Sequence, residues 1–259
     1  VIPLKDNIPT RRVPVLTLAL IAVNILVFFV VEHARLRLGG TELDQSKIVE
    51  YGLIPFRISH PGSVCGVAGQ ALACGPPGAV GAAGQASTFA PLTVFSSMFM
   101  HGGLIHLLGN MLFLWIFGNN VEDSMGRIRF VLFYLLGGIV AVGAQVAVSP
   151  DSMAPTIGAS GAVAAVLGGY ALMYPRARVV TLVFIVFFIT LIELPALIVL
   201  GAWFLLQLVS GSSELAQPGG AGVAYFAHVG GFVFGLALIR LFANRRRSDY
   251  SIADRVPVY

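Results

Sequence analysis

The stretch Gly158-Ala159-Ser160-Gly161 opens an apolar run, 162–174, that has helical length and carries no charge. It places one hydroxyl at the mouth of a helix that reads as membrane-embedded. A serine there can cap the helix, pack against a neighbour or act as a nucleophile. Taken alone it is at least as readily a cap, since serine is among the preferred N-cap residues. The rest of the chain bears on which of the three it is.

Working outward, 57% of the 259 residues are hydrophobic and 11% are charged, against about 25% charged in soluble domains. Mean hydropathy is +0.86. This suits an all-α polytopic membrane protein, because in hydrocarbon a helix satisfies its own backbone amides. Six spans are expected, at 14–31, 104–119, 130–148, 160–174, 194–209 and 222–242. The first run is long and no small-residue cleavage site follows it, so no cleavable signal peptide is expected. The organisation predicted is a segment 1–13, a six-helix domain 14–243 and a basic tail 244–259. Residues 33–103 form a long first loop, rich in Gly, Ala and Pro from 63 to 90. The run 179–209 is too long for one crossing and is interrupted by Glu193 and Pro195, so 179–193 read as a membrane-embedded or interfacial approach to the fifth span.

Net charge is +4, but the basic residues cluster at the ends of apolar runs. That is topology rather than nucleic-acid binding. Lys5, Arg11, Arg12, Arg127, Arg129, Arg176, Arg178, Arg240 and Arg245–Arg247 fall on one side of a six-span layout. By the positive-inside rule this side, with both termini, is cytoplasmic. The long loop and Ser160 then face out, as expected of a bacterial inner-membrane protein. Cys65 and Cys74 in that loop either pair or remain two free thiols; their spacing leaves both open.

Polar residues within spans are costly in lipid, and each is a functional candidate. His106 and Asn110, four apart, share one face of the second span. Gln145, Gln207 and His228 lie in the third, fifth and sixth. An imidazole beside a serine can take its proton as the hydroxyl attacks a carbonyl. Small residues at Gly161, Ala165 and Gly169, and at Gly231 and Gly235, let two helices pack backbone to backbone. Ser160 and His228 sit on those matched faces. The Ser160 amide at a helix N-terminus favours negative charge, and His106 and Asn110 could add donors to an oxyanion. His101 reads as a brace for the loop entering the membrane. No Asp or Glu stands where it would orient His228, so the pattern offers a pair rather than a triad.

Three blocks, 101–111 (His-Gly-Gly-Leu-Ile-His-Leu-Leu-Gly-Asn-Met), 158–161 (Gly-Ala-Ser-Gly) and 227–231 (Ala-His-Val-Gly-Gly) with Gly235, resemble the signatures of rhomboid intramembrane serine proteases. The resemblance extends over almost the whole chain and is weakest in 33–90. It implies Ser160 as nucleophile, His228 as general base, and His106 and Asn110 lining an oxyanion hole, with no metal or cofactor. Its substrates would be membrane proteins cut near the outer face of the bilayer. Two features depart from the pattern. The position four after the serine, a Tyr in some members, is Ala164, and the Trp-Arg pair of some first loops is not evident. The alternatives are a rhomboid-like scaffold without activity, which would lack Ser160 or His228, and a transporter, which would show internal repeats.

Overall fold

The computed structural model describes residues 2–37, 40–68, 71–78, 85–185, 188–216 and 223–244. The chain begins with strand β1 (Ile2–Asp6) and helix α1 (Val15–Leu26), which continues as a π-helical turn, Val27–Val31. The long loop then forms hairpin β2 (Arg35–Arg37)/β3 (Gly40–Glu42) and short helices α2 (Gln45–Tyr51) and α3 (Pro55–Ser59). Hairpin β4 (Val64–Ala68)/β5 (Ala71–Gly75) and helix α4 (Thr93–Ser96) complete it. Helix α5 (Leu104–Phe113) runs through a π-helical stretch, Leu114–Gly118, into α6 (Asn119–Met125). The remaining helices are α7 (Arg127–Val148), α8 (Ser160–Met173), α9 (Ala196–Ala216) and α10 (Tyr225–Phe242). Between α8 and α9 lie β6 (Arg178–Ile185) and β7 (Phe188–Pro195).

Among the described residues, four helical stretches are long and apolar enough to cross a membrane: Leu104–Met125, Arg127–Val148, Ala196–Ser213 and Tyr225–Phe242. Val15–Val31 and Ser160–Met173 are apolar but shorter. In α8 every residue from 161 to 171 is buried. A helix apolar on all sides belongs in a protein interior, and α8 forms the centre around which α5, α7 and α10 pack. The C-terminal part of the chain sets the bundle's ends: the Asn244 amide donates to the Ser124 carbonyl at 3.0 Å.

The fold is mostly helical, but not wholly so. The stretch expected as an approach segment to the fifth span supplies two of the three strands of an antiparallel sheet, ordered β1-β6-β7. Arg178 pairs with Pro195 and Ile185 with Phe188. The physical reason is composition. Val, Ile, Thr and Phe dominate these runs and fit a pleated surface, and a short apolar run does not by itself distinguish strand from helix. Pro195 ends the hairpin, and α9 starts at the next residue rather than at 194. The start of the sixth span expected at Gly222 and nearly all of the tail fall outside the described residues. In the long loop, Cys65 and Cys74 are directly opposed across β4 and β5 and joined by a disulfide.

Long-range side-chain bonds fix the N-terminal part. Pro14 gives α1 no side-chain cap. Instead Glu122 of α6 accepts from the Thr17 amide and hydroxyl, each at 2.8 Å, and from the Leu16 amide at 3.1 Å. At the far end of α8 from Ser160, the Tyr170 hydroxyl donates to Asp6 of β1, and Asn120 Nδ2 donates to the same carboxylate at 2.6 Å. Burial pushes the Asp6 carboxyl up to about 7. The sheet therefore lies at one end of the bundle and Ser160 at the other.

Candidate active site

The site begins with a seam of glycines. A Cβ added to Gly231 would stand 2.1 Å from the Gly161 carbonyl oxygen, and one on Gly235 would stand 2.0 Å from that of Ala165. From the other helix, a Cβ on Gly168 would stand 2.1 Å from the Phe232 carbonyl oxygen. Helices α8 and α10 thus touch backbone to backbone at three levels, which no residue with a side chain would permit. Two further contacts hold the mouth of the seam. A Cβ on Gly161 would meet Ala141 of α7 at 2.6 Å. Gln145 Oε1, also from α7, accepts from the Ala227 amide at 3.2 Å, satisfying one of the free donors of the first turn of α10.

That seam brings Ser160, the first residue of α8, beside His228, in the first turn of α10. Ser160 Oγ lies 2.7 Å from His228 Nε2. The opposite ring nitrogen, Nδ1, lies 2.8 Å from Gln207 Oε1 of α9. Trp203, one turn earlier on α9, sets its ring 5.7 Å from that of His228, tilted by 39°. In this geometry the serine hydroxyl can pass its proton to Nε2 while Nδ1–H is held by an amide oxygen.

On the other side of Ser160 stands α5. Gly158 adopts φ +135°, a conformation that favours glycine. A Cβ there would lie 2.9 Å from His106 Cε1, 3.0 Å from His106 Nε2 and 3.3 Å from Ser160 Oγ. The missing side chain leaves open the space between the His106 ring and the serine hydroxyl. The Gly102 amide donates to His106 Nδ1 at 3.3 Å. In the neutral ring the proton is therefore on Nε2, the nitrogen nearer Gly158. Asn110 is one turn deeper on α5, and its Nδ2 is buried without a hydrogen-bond partner. Ser160 also lines a cavity of about 20 Å³ whose wall combines small residues, among them Gly138, Ala141, Gly161 and Ala227, with the larger Met98 and Ile157.

His101 is fully buried with its ring edge-on to His106, centroids 5.3 Å apart. Its amide donates to both oxygens of Glu32, at 3.0 and 3.2 Å. Burial, with the neighbouring His106, pushes the His101 ring down to about 3, so it stays uncharged against His106. Burial pushes the Glu32 carboxyl up to about 7. Glu193, by contrast, is in β7 at the sheet end and pairs with Arg178 at 3.3 Å.

The structure thus gathers Ser160, His228, His106 and Gly158 around one point, with Gly161, Gly231 and Gly235 in the seam beneath, His101 packed against His106, and Asn110 one turn deeper on α5. What holds the His228 ring was not evident from the sequence, because an amide rather than a carboxylate meets Nδ1. Trp203 and Gln207 are four apart and share a face of α9, and an amide facing an imidazole was the available signal.

The Rhomboid domain family matches residues 89–245. Among curated proteins, the chain is similar to Rhomboid protein 1, mitochondrial, of Saccharomyces cerevisiae, at 29% identity over 56% of this chain and 40% of that one. It is similar to Presenilin-associated rhomboid-like protein A, mitochondrial, of Danio rerio, at 32% over 34% of this chain and 23% of that one. It is also similar to Rhomboid protease GluP of Bacillus subtilis, at 44% over 29% of this chain and 14% of that one. In each case the match spans less than half the relative's length.

Proposed function

The chain belongs to the rhomboid family, and we propose that it is an intramembrane serine endopeptidase cutting a transmembrane protein substrate in or near its membrane segment. The observation that carries this reading is the 2.7 Å contact of Ser160 Oγ with His228 Nε2. Helix length sets its depth. The 14 residues of α8 extend about 21 Å at ~1.5 Å per residue, against a hydrocarbon core of ~30 Å. If the Tyr170 end reaches one face, Ser160 lies on the order of 10 Å below the other. In this reading Val15–Val31 and the protein-encased α8 join the four longer stretches to make six spans. The basic end, with Arg127, Arg129 and Arg178, faces the cytoplasm or its mitochondrial equivalent, the matrix. The disulfide-bearing loop and the site face the opposite, oxidising side.

The chemistry follows. Ser160 Oγ attacks the scissile carbonyl carbon, and its proton moves to His228 Nε2. The resulting oxyanion is met by the Ser160 amide in the first turn of α8, by the unpartnered Asn110 Nδ2 and by His106 Nε2–H. On collapse the C–N bond breaks, and His228 returns the proton to the leaving nitrogen. A water then gives its proton to His228 as its oxygen bonds the acyl carbon; the acyl C–Oγ bond breaks, freeing the new carboxyl end, and His228 returns the proton to Ser160 Oγ. The cavity beside Ser160 is about 20 Å³, close to one water in size, which favours small side chains at the cut. The substrate helix must also unwind there, because an intact helix ties its carbonyls into i→i−4 bonds.

The test is cleavage of a single-span model substrate reconstituted with the protein in liposomes. Wild type is expected to release a fragment cut within or beside the span, and Ser160→Ala none. Equal cleavage by the two would remove Ser160 from the chemistry. No cleavage by folded wild type would favour the scaffold reading.

A further inference from the structure

We infer that Gln207 is the positioning residue that sets the tautomer of His228, making the site a Ser-His-Gln relay drawn from three helices; this rests on the proposed role of Ser160 and His228. A neutral imidazole carries one proton. Only with that proton on Nδ1 does Nε2 present a lone pair to the Ser160 hydroxyl. Gln207 Oε1, 2.8 Å from Nδ1, accepts from Nδ1–H and offers it no competing proton. The same oxygen remains an acceptor when Nε2 takes the serine proton and the ring becomes cationic. Trp203, 5.7 Å from the ring, fixes its tilt and lays an aromatic surface beside the charge as it forms. These two side chains take over the task that the position of Ala164 leaves undone.

The choice of an amide has a physical basis. A carboxylate at this depth would carry a full charge in a membrane-embedded setting, which is expensive without a permanent partner. The amide orients the ring with a dipole only. Among the described residues, His106 of α5 lies across Ser160, Tyr225 stands three residues earlier on α10, and Gln145 of α7 bonds the Ala227 amide. Among the described residues, no carboxylate bonds to the His228 ring.

A plain interhelical clamp between α9 and α10 would use the same hydrogen bond. The experiment separates the two. Cleavage of the model substrate is followed against pH for the full chain carrying Gln207→Leu or Gln207→Glu, with ring-nitrogen NMR of histidine-labelled wild type and Gln207→Leu. Gln207→Leu is expected to lower kcat at least ~10-fold with little change in KM, and to shift the Nδ1–H signal of His228 toward the other tautomer. Gln207→Glu is expected to turn over substrate with the acidic limb of its kcat/KM profile moved to higher pH, because a carboxylate at Nδ1 favours the imidazolium. The inference is overturned if wild-type His228 carries its proton on Nε2. It is equally overturned if Gln207→Leu leaves kcat and tautomer unchanged, or if the acidic limb of Gln207→Glu does not move. If wild type shows the Nδ1–H tautomer, lost in Gln207→Leu, yet cleaves nothing, the positioning stands and the protease reading fails.

Discussion

Helices α8 and α9 both flank α10, and they hold it by different physics. Against α8 the contact is main chain on main chain, with Gly231 and Gly235 pressed onto the Gly161 and Ala165 carbonyls. Against α9 the hold near the site is made by side chains, Trp203 and Gln207 on the His228 ring. Only 17% of the membrane-length window of α9 is buried, against 39% for α10. The seam sets the distance between Ser160 and His228; the outer helix sets the orientation of the ring. Distance is held by main-chain contact and orientation by side chains.

The difference is tested most severely by one methyl group in the seam, on α10, and one on the outer helix, α9. Gly235→Ala would drive a Cβ to 2.0 Å from a backbone carbonyl, where no flexible group can yield. It should cost ~1–3 kcal/mol or more, seen as a lower unfolding temperature in detergent, and should abolish cleavage. Gly201→Ala on α9 meets nothing within 4 Å. It should be neutral or stabilising by up to ~1 kcal/mol, as Ala usually is over Gly in a helix. Equal losses from both would dissolve the distinction between seam and outer helix.

Asn110→Ala sharpens the comparison from the α5 side. Its Nδ2 serves no internal hydrogen bond, so the protein should unfold at the wild-type temperature or slightly above. If the amide meets the oxyanion, kcat should fall by up to ~10²–10³-fold. An unchanged kcat would return Asn110 to packing.

Glu32 tests the brace beneath His106 through pH. Its carboxyl is held at about 7 against an ordinary 4.5, so the folded state binds its proton more tightly than the unfolded chain does. Stability from this group is complete below about pH 4.5 and is lost as pH rises through 7. The loss is of order 1–2 kcal/mol after allowance for solvent screening. Glu32→Gln keeps an acceptor for the His101 amide and should reduce the slope in thermal unfolding measured from pH 4.5 to 8, leaving the part contributed by Asp6, which is also held at about 7. An unaltered slope would place its origin elsewhere. The smallest effect is expected from Glu193→Gln. Its partner Arg178 is largely exposed, and such pairs contribute ~0–1 kcal/mol. Cleavage should match wild type, and a loss as large as that of Ser160→Ala would mean the site lies elsewhere.

What could be read from the sequence follows the same division. The seam was legible because small residues at Gly161, Ala165, Gly169, Gly231 and Gly235 repeat at helical spacing, so the approach of Ser160 to His228 could be expected. Four features were not. The cap on α1 comes from Glu122, 105 residues beyond Thr17, a distance no local pattern carries. The strands of 178–195 were hidden because an apolar run rich in β-branched residues suits a strand and a membrane segment equally. The contact of Gln207 with His228 depends on how α9 is rotated against α10, and one polar residue on an apolar helix does not fix that angle. The pairing of Cys65 with Cys74 was open for a similar reason, since spacing leaves the register of a hairpin free.

The account rests on an activated serine at the end of the glycine seam. The most direct measurement is labelling by a fluorophosphonate probe in mild detergent, comparing wild type, Ser160→Ala and His228→Ala, each shown to be folded. The account predicts labelled wild type and two blank variants. Labelling that persists in Ser160→Ala, or a folded wild type that takes up no probe, would contradict it.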